Sequence, residues 1–202
     1  MMGEKTKKVA KKAGRWISLH LKNLTHWFRT LTSLKKIALF ALVLLLGWYL
    51  FSLPRTLFDS PYSTLVSDRN GELLGARIAA DGQWRFPPAD TMPRKYEICL
   101  TQFEDKHFRY HPGVNPLSLG RAMVQNIKAR RIVSGGSTLT MQTVRLMRRN
   151  KRTYFEKFIE VVLATRLELS HSKDEIIALY ASHAPMGGNV VGIDAASWRY
   201  FG

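Results

Sequence analysis

Two glutamates in the chain have neighbours that suit catalysis. Glu104 is followed by Asp105 near the predicted end of a helix, just before the loop His111-Pro112-Gly113. Glu160 interrupts the apolar run at 158–164, where a carboxylate must be solvated along one stripe or lie in a cleft with partners. An ordinary solvated position on a helix surface or at a helix end explains either glutamate equally well. Both interpretations stay open from spacing alone.

A second group of residues suits an anionic ligand. Gly135 and Gly136 precede a hydroxyl-rich helix start at 137–140, and free N–H groups at such an end attract anions, including phosphate. A cationic run follows, in which Glu156 is the one acidic residue: Arg145, Arg148, Arg149, Lys151, Arg152 and Lys157. A charged run is most often a solvated surface. Its position after the glycine pair favours an anion site here.

Other common chemistries lack their residues. The chain has no P-loop, no G-x-G-x-x-G, no H-E-x-x-H and no cysteine pair for zinc. Cys99 is the one cysteine, so no internal disulfide forms. Ser33-x-x-Lys36 and Ser170-x-x-Lys173 have the spacing of acyl-enzyme serines but lack the S-D-N and K-T-G companions. We interpret both as chance matches.

The elements that must position these residues are predicted to be helices after Pro93. Asn115 is a plausible N-cap with Pro116 in the first turn, and Ser172 with Glu175 forms a capping-box pattern. Helices are therefore predicted at about 95–108, 116–129, 137–148, 153–169, 173–182 and 192–200.

The segment before these helices is predicted to be a stem with short strands. Residues 64–68 and 73–79 flank Asn70-Gly71, which tolerates the positive φ angles of a hairpin turn. A further extended piece is predicted at 83–86, between Asp81-Gly82 and a proline pair. A small hairpin stem follows from this pattern.

An apolar run of 17 residues at 37–53 carries no charge. At roughly 1.5 Å per residue it spans about 25 Å, which suits a transmembrane helix, with a buried core helix as the alternative. The basic flank before it predicts a cytoplasmic N-terminus, with residues after Pro54 outside. No small-residue cleavage site follows the run, so we expect an uncleaved, single-pass type II anchor.

The net charge of +16 is concentrated at the N-terminus. Residues 1–36 hold ten Lys or Arg and one Glu, which is more than half of that excess. A juxtamembrane arm of this kind sets topology and contacts anionic lipids, at about 1 kcal/mol for each Lys or Arg near the surface. We therefore expect a membrane surface as the arm's partner and no nucleic acid.

Four segments, taken in order, resemble the motifs of the peptidoglycan glycosyltransferase domain of class A penicillin-binding proteins and of monofunctional transglycosylases. Residues 104–113 resemble E-D-x-x-F-x-x-H-x-G, and residues 135–142 resemble G-G-S-T-I-T-Q-Q. Residues 152–160 resemble the third motif, and residues 175–180 with the later glycines at 187, 188 and 192 resemble the fourth. The residues at 81–86, 111–116 and 195–198 are most similar to those of the 1C type of penicillin-binding protein.

This resemblance implies a fold and an activity. The fold would be mainly α, a lysozyme-like glycosyltransferase domain with a single N-terminal transmembrane helix and a small β-hairpin stem. The activity would be that of a peptidoglycan glycosyltransferase (EC 2.4 class), which polymerises lipid II into glycan strands. An acceptor 4-hydroxyl would attack the donor's anomeric carbon with inversion, and polyprenyl pyrophosphate would leave.

The resemblance also implies roles for individual residues. Glu104 would be the general base, and Glu160 would be the second catalytic glutamate, near the pyrophosphate. The implied substrate-binding positions are Asp105, His111, Ser137, Thr138, Gln142, Arg145, Arg152 and Lys157. Cationic groups are needed there because charge develops on the leaving diphosphate. No cofactor is required by the resemblance, which leaves a divalent cation, Mg²⁺ or Mn²⁺, as an option at the pyrophosphate.

The chain departs from the family pattern at several positions. Met141 stands where the family usually has glutamine, Arg145 where lysine is usual, and Asn115 where aspartate is common. Arg for Lys keeps the charge but changes its geometry. Residues 180–183 also depart from the usual Y-L-N pattern of the fourth motif. These departures put fine substrate contacts in question.

The predicted organisation is a basic cytoplasmic arm at 1–36, a transmembrane anchor at 37–53, an extracytoplasmic stem at 54–93 and an incomplete glycosyltransferase domain at 94–202. The family's domain continues past the equivalent of Gly202 through a fifth motif, and bifunctional members add a transpeptidase. We expect a protein of the bacterial inner membrane with its catalytic domain in the periplasm, acting on lipid II and growing lipid-linked glycan. Protein partners are not predicted.

Two alternatives stay open at this stage. The first is an inactive, membrane-anchored remnant or interaction protein, because a shortened domain would expose apolar helix faces. The second is a lytic glycan-cleaving enzyme of similar fold, in which Glu104 would be a general acid with a raised pKa.

Overall fold

The computed structural model describes Lys22, Thr30 and residues 32–88 and 92–202. The predicted basic arm at 1–36 lies mostly outside the described residues, as does the part of the predicted stem at 89–91. Contacts within the chain divide it into two units, with the boundary between Trp48 and Tyr49. The predicted domain boundaries at 36, 53 and 93 stay predictions.

Helix α1 (Ser33–Phe51) has 19 residues and no buried side chain. By length and composition it is the one helix in the described residues that could cross a membrane. It begins before the apolar run because Lys35 and Lys36, which are good helix formers, extend it at the N-terminal end.

The predicted hairpin is confirmed. Strand β1 (Thr64–Ser67) pairs antiparallel with β2 (Leu73–Arg77). The turn is held by Asp68, whose Oδ1 accepts hydrogen bonds from the backbone N–H groups of Asn70 and Glu72, both at 2.8 Å. A carboxylate that satisfies two turn N–H groups fixes where the hairpin reverses.

The extended piece predicted at 83–86 is also confirmed, as β3 (Trp84–Arg85). It belongs to a three-stranded sheet with β4 (Pro185–Gly187) and β5 (Val190–Val191), which lie near the other end of the chain. The sheet order is β3-β5-β4, with β3 parallel to β5 and β4 antiparallel to it. Strands of two or three residues are too short to show a period, so β4 and β5 were not predicted from the sequence.

The mainly α fold class is confirmed by the remaining elements. They are α2 (Arg94–Glu104), a 3₁₀ turn (Phe108–Tyr110), α3 (Pro116–Ala129), α4 (Leu139–Arg148), α5 (Tyr154–Glu168), α6 (Lys173–His183) and α7 (Ile193–Phe201). The first predicted helix was too long. It ends at Glu104 because Asp105, with φ −158° and ψ 80°, has left the helical region.

Both predicted caps are present. Asn115 Oδ1 accepts from the Ser118 N–H at 3.1 Å, with Pro116 as the first residue of α3. Ser172 and Glu175 form the complete capping box at the start of α6. Each cap satisfies N–H groups that have no partner within the helix, which fixes where the helix begins.

The core is centred on α4. Its side chains Leu139, Met141 and Val144 are fully buried, together with Leu167 of α5 and Ile176 of α6. Fully burying a side chain of this size contributes about 1.5–3 kcal/mol. The helix that carries the second family-like motif is therefore held rigidly by its neighbours.

One tight contact sets the distance between the loop after α2 and helix α5. Gly113 has φ +83°, and a Cβ at this position would lie 2.6 Å from the carbonyl oxygen of Ala164. No side chain fits that space without moving α5. The glycine therefore lets the His111-Pro112-Gly113 loop pack directly on the helix backbone.

We expect Gly113→Ala to destabilise the full chain by about 1–3 kcal/mol or more, because it adds a positive-φ penalty to a backbone clash. Thermal melting in detergent micelles, followed by circular dichroism, measures the change. Gly120→Ala is the matched control, since Gly120 lies within α3 with open space around it. In a helix interior this exchange should stabilise by about 0.5–1 kcal/mol. Equal melting temperatures for the two variants would contradict the packing argument.

Candidate functional site

A buried carboxylate joins the end of α2 to the start of α4. Asp105 Oδ2 accepts a hydrogen bond from the backbone N–H of Leu139 at 3.0 Å and lies 2.9 Å from His111 Nε2. Because an ionised carboxylate only accepts, the imidazole donates through Nε2. The N–H of Leu139 is one of the first N–H groups of α4, which have no partner in the helix. Asp105 therefore fixes the start of α4 relative to Glu104, which directly precedes Asp105 in the chain.

Glu104 is the last residue of α2 and is half-buried. The side-chain amide of Gln142, on α4, donates to Glu104 Oε2 at 2.8 Å. The hydroxyl of Tyr180 makes a longer contact, 3.5 Å, with Gln142 Oε1. Gln142 thus holds one oxygen of the carboxylate and leaves the other available.

Two tyrosines close to this carboxylate are neutral at physiological pH. Burial, with further contributions from Tyr180 and Glu104, raises the pKa of Tyr96 to about 12. Burial also raises the pKa of Tyr180, again with a contribution from the negative charge of Glu104. The surroundings of Glu104 on this side are aromatic and carry hydroxyl donors.

Glu104 lines a small cavity of about 210 Å³. Its other walls include Asp105, Arg121 and the glycine-containing loop at 135–138. Ser137 and Thr138 face the same space, so the first and second family-like motifs meet there. The structure brings these predicted site residues together.

The loop before α4 is ordered by a residue that sequence reasoning missed. Asn126 accepts from the N–H groups of Val133 and Ser134 at 2.8 and 2.9 Å and donates to the Ser134 carbonyl at 3.0 Å. A Cβ at Gly136 would lie 2.8 Å from the Leu119 Cα, so this loop lies directly against α3. An isolated Asn in a helix gives no pattern from which its clamping contacts could be found.

Thr138 fixes the end of the same loop. Its hydroxyl donates to the Gly113 carbonyl at 2.5 Å and accepts from the Met141 N–H at 3.2 Å, as the N-cap of α4. Both contacts are buried. The hydroxyl is thus occupied within the protein.

A second cavity, of about 430 Å³, is lined by cationic residues. It holds Arg145, Arg148, Lys151, Arg152 and Lys157, together with two glutamates. We call it the cationic cavity. Glu160 is buried, 7% exposed, and its Oε2 accepts from Lys157 Nζ at 2.9 Å. Glu160 therefore lies in a cleft with a partner and not on a solvated stripe of its helix.

The two cavities are neighbours, connected by one hydrogen bond. Lys157 Nζ donates to Ser137 Oγ at 2.7 Å, and Ser137 lines the cavity of Glu104 while Lys157 lines the cationic cavity. A ligand that extends from one space to the other therefore passes this pair.

Positive charge in the cationic cavity exceeds negative charge. Arg148 is neutralised by Glu156 through two hydrogen bonds of 3.0 and 3.1 Å, and this bonding lowers the pKa of Glu156. Arg145, Lys151 and Arg152 have no carboxylate within ion-pair distance in the part of the chain that the structure describes. Three unpaired cations around one space favour a multiply charged anion.

The other predicted positions differ in what they contact. Gln142 bonds to Glu104, whereas His111 lies behind Asp105 and reaches neither cavity. Met141 is completely buried, so this departure from the family pattern belongs to the core. Arg145, the second departure, lines the cationic cavity. The roles of all predicted site residues stay predictions.

The fit of a divalent cation depends on the carboxylates near the cationic cavity. Among residues 32–88 and 92–202, no three His, Cys, Asp or Glu side chains come together as a metal site. Glu160 is nevertheless a suitable single carboxylate, because Mg²⁺ is often bound by one or two carboxylates plus substrate phosphates. The residues present fit a cation that arrives with its phosphate ligand.

Comparison with known proteins places this geometry among relatives. A family model described as Transglycosylase matches residues 70–202. The chain is 42% identical over 151 residues to penicillin-binding protein 1C of Escherichia coli (strain K12), covering 74% of the chain and 20% of that protein. It is 33% identical over 143 residues to penicillin-binding protein 1A of Aquifex aeolicus (strain VF5), covering 70% and 19% respectively. The chain thus spans about a fifth of the length of these relatives.

We expect Asp105→Ala to destabilise the protein by about 1–3 kcal/mol, because it leaves the buried Leu139 N–H without an acceptor. Hydrogen exchange should also accelerate at that amide, which a merely local loss of charge would not cause. Asp174→Ala is the control: it removes a 78% exposed carboxylate paired with Arg109 and should cost less than about 1 kcal/mol. Equal losses of stability, with unchanged exchange at Leu139, would refute the bridging role of Asp105.

Proposed function

The chain belongs to the transglycosylase family, and we propose from this membership that it is a peptidoglycan glycosyltransferase that polymerises lipid II. The observation that carries the proposal is the pair of adjacent cavities, one with a half-buried carboxylate and one with three unpaired cations. A glycosyl transfer from a diphosphate donor needs a base for the acceptor and positive charge for the leaving group. Both requirements are met at neighbouring positions.

In the proposed reaction Glu104 is the base. The acceptor's 4-hydroxyl oxygen forms a bond to the donor's anomeric carbon while its proton passes to the Glu104 carboxylate. Gln142 holds one carboxylate oxygen by a hydrogen bond of 2.8 Å, so the other is oriented toward the acceptor. The bond from the anomeric carbon to the diphosphate oxygen breaks in the same step, and inversion follows from a single displacement.

The leaving polyprenyl diphosphate takes the electron pair of the broken bond. Arg145, Arg152 and Lys157 are proposed to bind it, since fixed cations are most effective where negative charge develops. Lys157 also bonds to Ser137, at 2.7 Å, and can therefore orient the donor between the two cavities. Asp105, His111 and Thr138 act indirectly in this proposal, by fixing the helices and the loop.

Glu160 is proposed to act at the diphosphate. It holds Lys157 at 2.9 Å and is the carboxylate that would bind a divalent cation, Mg²⁺ or Mn²⁺, together with the substrate's phosphates. Such a cation, when bound, supplies charge neutralisation of the diphosphate.

The proposed location is the bacterial inner membrane. Helix α1 would be the anchor, with the N-terminus in the cytoplasm and the two cavities on the periplasmic side. The basic arm would contact anionic lipids, and the growing lipid-linked glycan would be the polymeric product. The excess of Lys and Arg before α1 supports this orientation.

We expect Glu104→Gln to lower polymerisation by about 10²–10⁴-fold, because the amide cannot accept the acceptor's proton. The measurement is the rate at which the full chain, in detergent micelles, converts labelled lipid-linked precursor into glycan. Glu97→Gln is the matched control, since Glu97 lies two turns earlier on α2 and bonds to Arg109 outside both cavities. It should retain the parent rate.

A Glu104→Gln protein that polymerises at the parent rate would end the assignment of the base. Shortening of purified sacculi by the parent, without consumption of precursor, would instead indicate a lytic enzyme. A parent without either activity would favour the inactive alternative.

A second test concerns the leaving group. We expect Arg152→Gln to lower kcat/KM by about 10–10³-fold, because one cation at the developing charge is lost. Its melting temperature should hardly change, since Arg152 is exposed and unpaired in the described structure. Arg131→Gln removes the same charge from an exposed position that lines neither cavity and should change kcat/KM little. Equal effects on kcat/KM would show that only overall charge matters.

A further inference from the structure

A third cavity lies between the stem and the helices. The proposed reaction does not take place in it, and none of the four family-like motifs gives it a function. It measures about 420 Å³ and is lined by Phe58, Asp81, Arg85, Arg149 and His183, with Arg145 at its border to the cationic cavity. We call it the stem cavity.

Three guanidinium groups line the stem cavity against one carboxylate. Arg85 is 3% exposed, and its Nη1 donates to Asp81 Oδ2 at 3.0 Å and to the Pro61 carbonyl at 2.6 Å. Its Nε is buried and has no hydrogen-bond partner among the described residues. Arg149 donates to Ser60 Oγ at 2.5 Å and has no carboxylate within ion-pair distance in the described chain. An anion would satisfy these donors.

His183 supplies a different kind of group. Its Nδ1 lies 2.9 Å from the Leu179 carbonyl oxygen, which only accepts, so Nδ1 carries the proton. Its ring stacks on Phe58 at 3.6 Å between centroids. In the neutral ring Nε2 is then a lone-pair acceptor, and it is buried without a partner in the described structure. His183 as a whole is 7% exposed.

The neutral form of His183 is favoured by its surroundings. Burial lowers the pKa of His183, and the positive charges of Arg85 and Arg149 lower it further, against the opposing effect of the bond to Leu179. Asp81, by contrast, is ionised. Desolvation acts to raise the pKa of Asp81, but hydrogen bonds from Arg85 and from the Gln83 N–H outweigh it and lower that pKa.

The stem cavity therefore offers cationic donors together with two acceptors, Asp81 and the Nε2 of His183. A ligand that satisfies both kinds of group must be an anion that also carries an O–H donor. Hydrogen phosphate and phosphate monoesters at neutral pH have that combination, whereas sulfate has the same shape and no proton to donate. Sulfate would place oxygen lone pairs against the exposed Asp81 carboxylate and would leave the buried Nε2 of His183 without a donor.

We propose that the stem cavity binds a proton-bearing phosphate group, as inorganic phosphate or a phosphate monoester, and discriminates against sulfate. Arg85 and Arg149 bind the phosphate oxygens, and the phosphate hydroxyl donates to His183 or Asp81. This binding requires no glycosyl transfer, so it stands or fails separately from the proposed enzymatic function.

Isothermal titration of the full chain in detergent micelles at pH 7 tests the proposal. We expect saturable binding of inorganic phosphate and at least about tenfold weaker binding of sulfate, since the two anions differ mainly in the missing hydroxyl. N-acetylglucosamine 1-phosphate, titrated in parallel, distinguishes an ester from the free ion as the preferred source. Absence of saturable phosphate binding, or equal affinity for sulfate, overturns the proposal.

Two matched variants locate the site. Arg149→Gln should weaken phosphate binding by about tenfold or more, because a charge-assisted bond is lost. Lys151 lines the cationic cavity and not the stem cavity, so Lys151→Gln removes the same charge but should leave unchanged the phosphate affinity read from the His183 resonance. Equal losses in both variants would assign the phosphate to the cationic cavity and refute the proposal.

A spectroscopic measurement covers the case in which a variant fails to fold. In the unmodified chain with ¹⁵N-labelled histidine, added phosphate should shift the Nε2 resonance of His183, assigned by its loss in His183→Gln. Sulfate at equal concentration should leave that resonance in place. A His183 Nε2 resonance that does not shift when phosphate is added would contradict the proposed contact between His183 and the phosphate hydroxyl.

Discussion

The site depends on one buried carboxylate, that of Asp105. It accepts from the first N–H of α4 and from His111, and so it fixes the end of α2 against the start of α4. Glu104 directly precedes Asp105, and Gln142 lies on α4. The hydrogen bond between Asp105 and α4 therefore also sets the distance between Gln142 and the carboxylate of Glu104, the proposed base. Buried carboxylates are costly unless they are fully hydrogen-bonded, and this one receives both bonds from groups that need an acceptor.

The charged residues that line the cationic cavity are only partly paired. The charge of a paired cation, such as Arg148 with Glu156, is largely neutralised within the protein. Arg145, Lys151 and Arg152 have no such carboxylate within the described residues, and their mutual repulsion opposes folding. A chain that keeps this repulsion at one cavity, beside a second cavity where Gln142 holds the Glu104 carboxylate, is suited to bind a ligand that carries negative charge.

Local sequence patterns predicted much of the fold. Helix starts at Asn115 and Ser172 could be predicted because their capping contacts involve residues three positions apart. The site could be approached only through family-like motifs, because its decisive contacts join distant positions, such as Asp105 to Leu139. The clamp by Asn126 was missed for the same reason. Met141 shows a further limit, since burial of an unusual residue follows only from the packed structure.

The pairing of β3 with β5 joins residues about a hundred positions apart. Closing so long a loop costs conformational entropy before any contact repays it, whereas the β1–β2 hairpin closes locally within microseconds. While the chain is being made from its N-terminus, Trp84 and Arg85 must therefore wait for almost all of the helices before their strand has a neighbour. Completion of the stem is thus a late folding event, and until then that strand edge is open to wrong pairing with other chains.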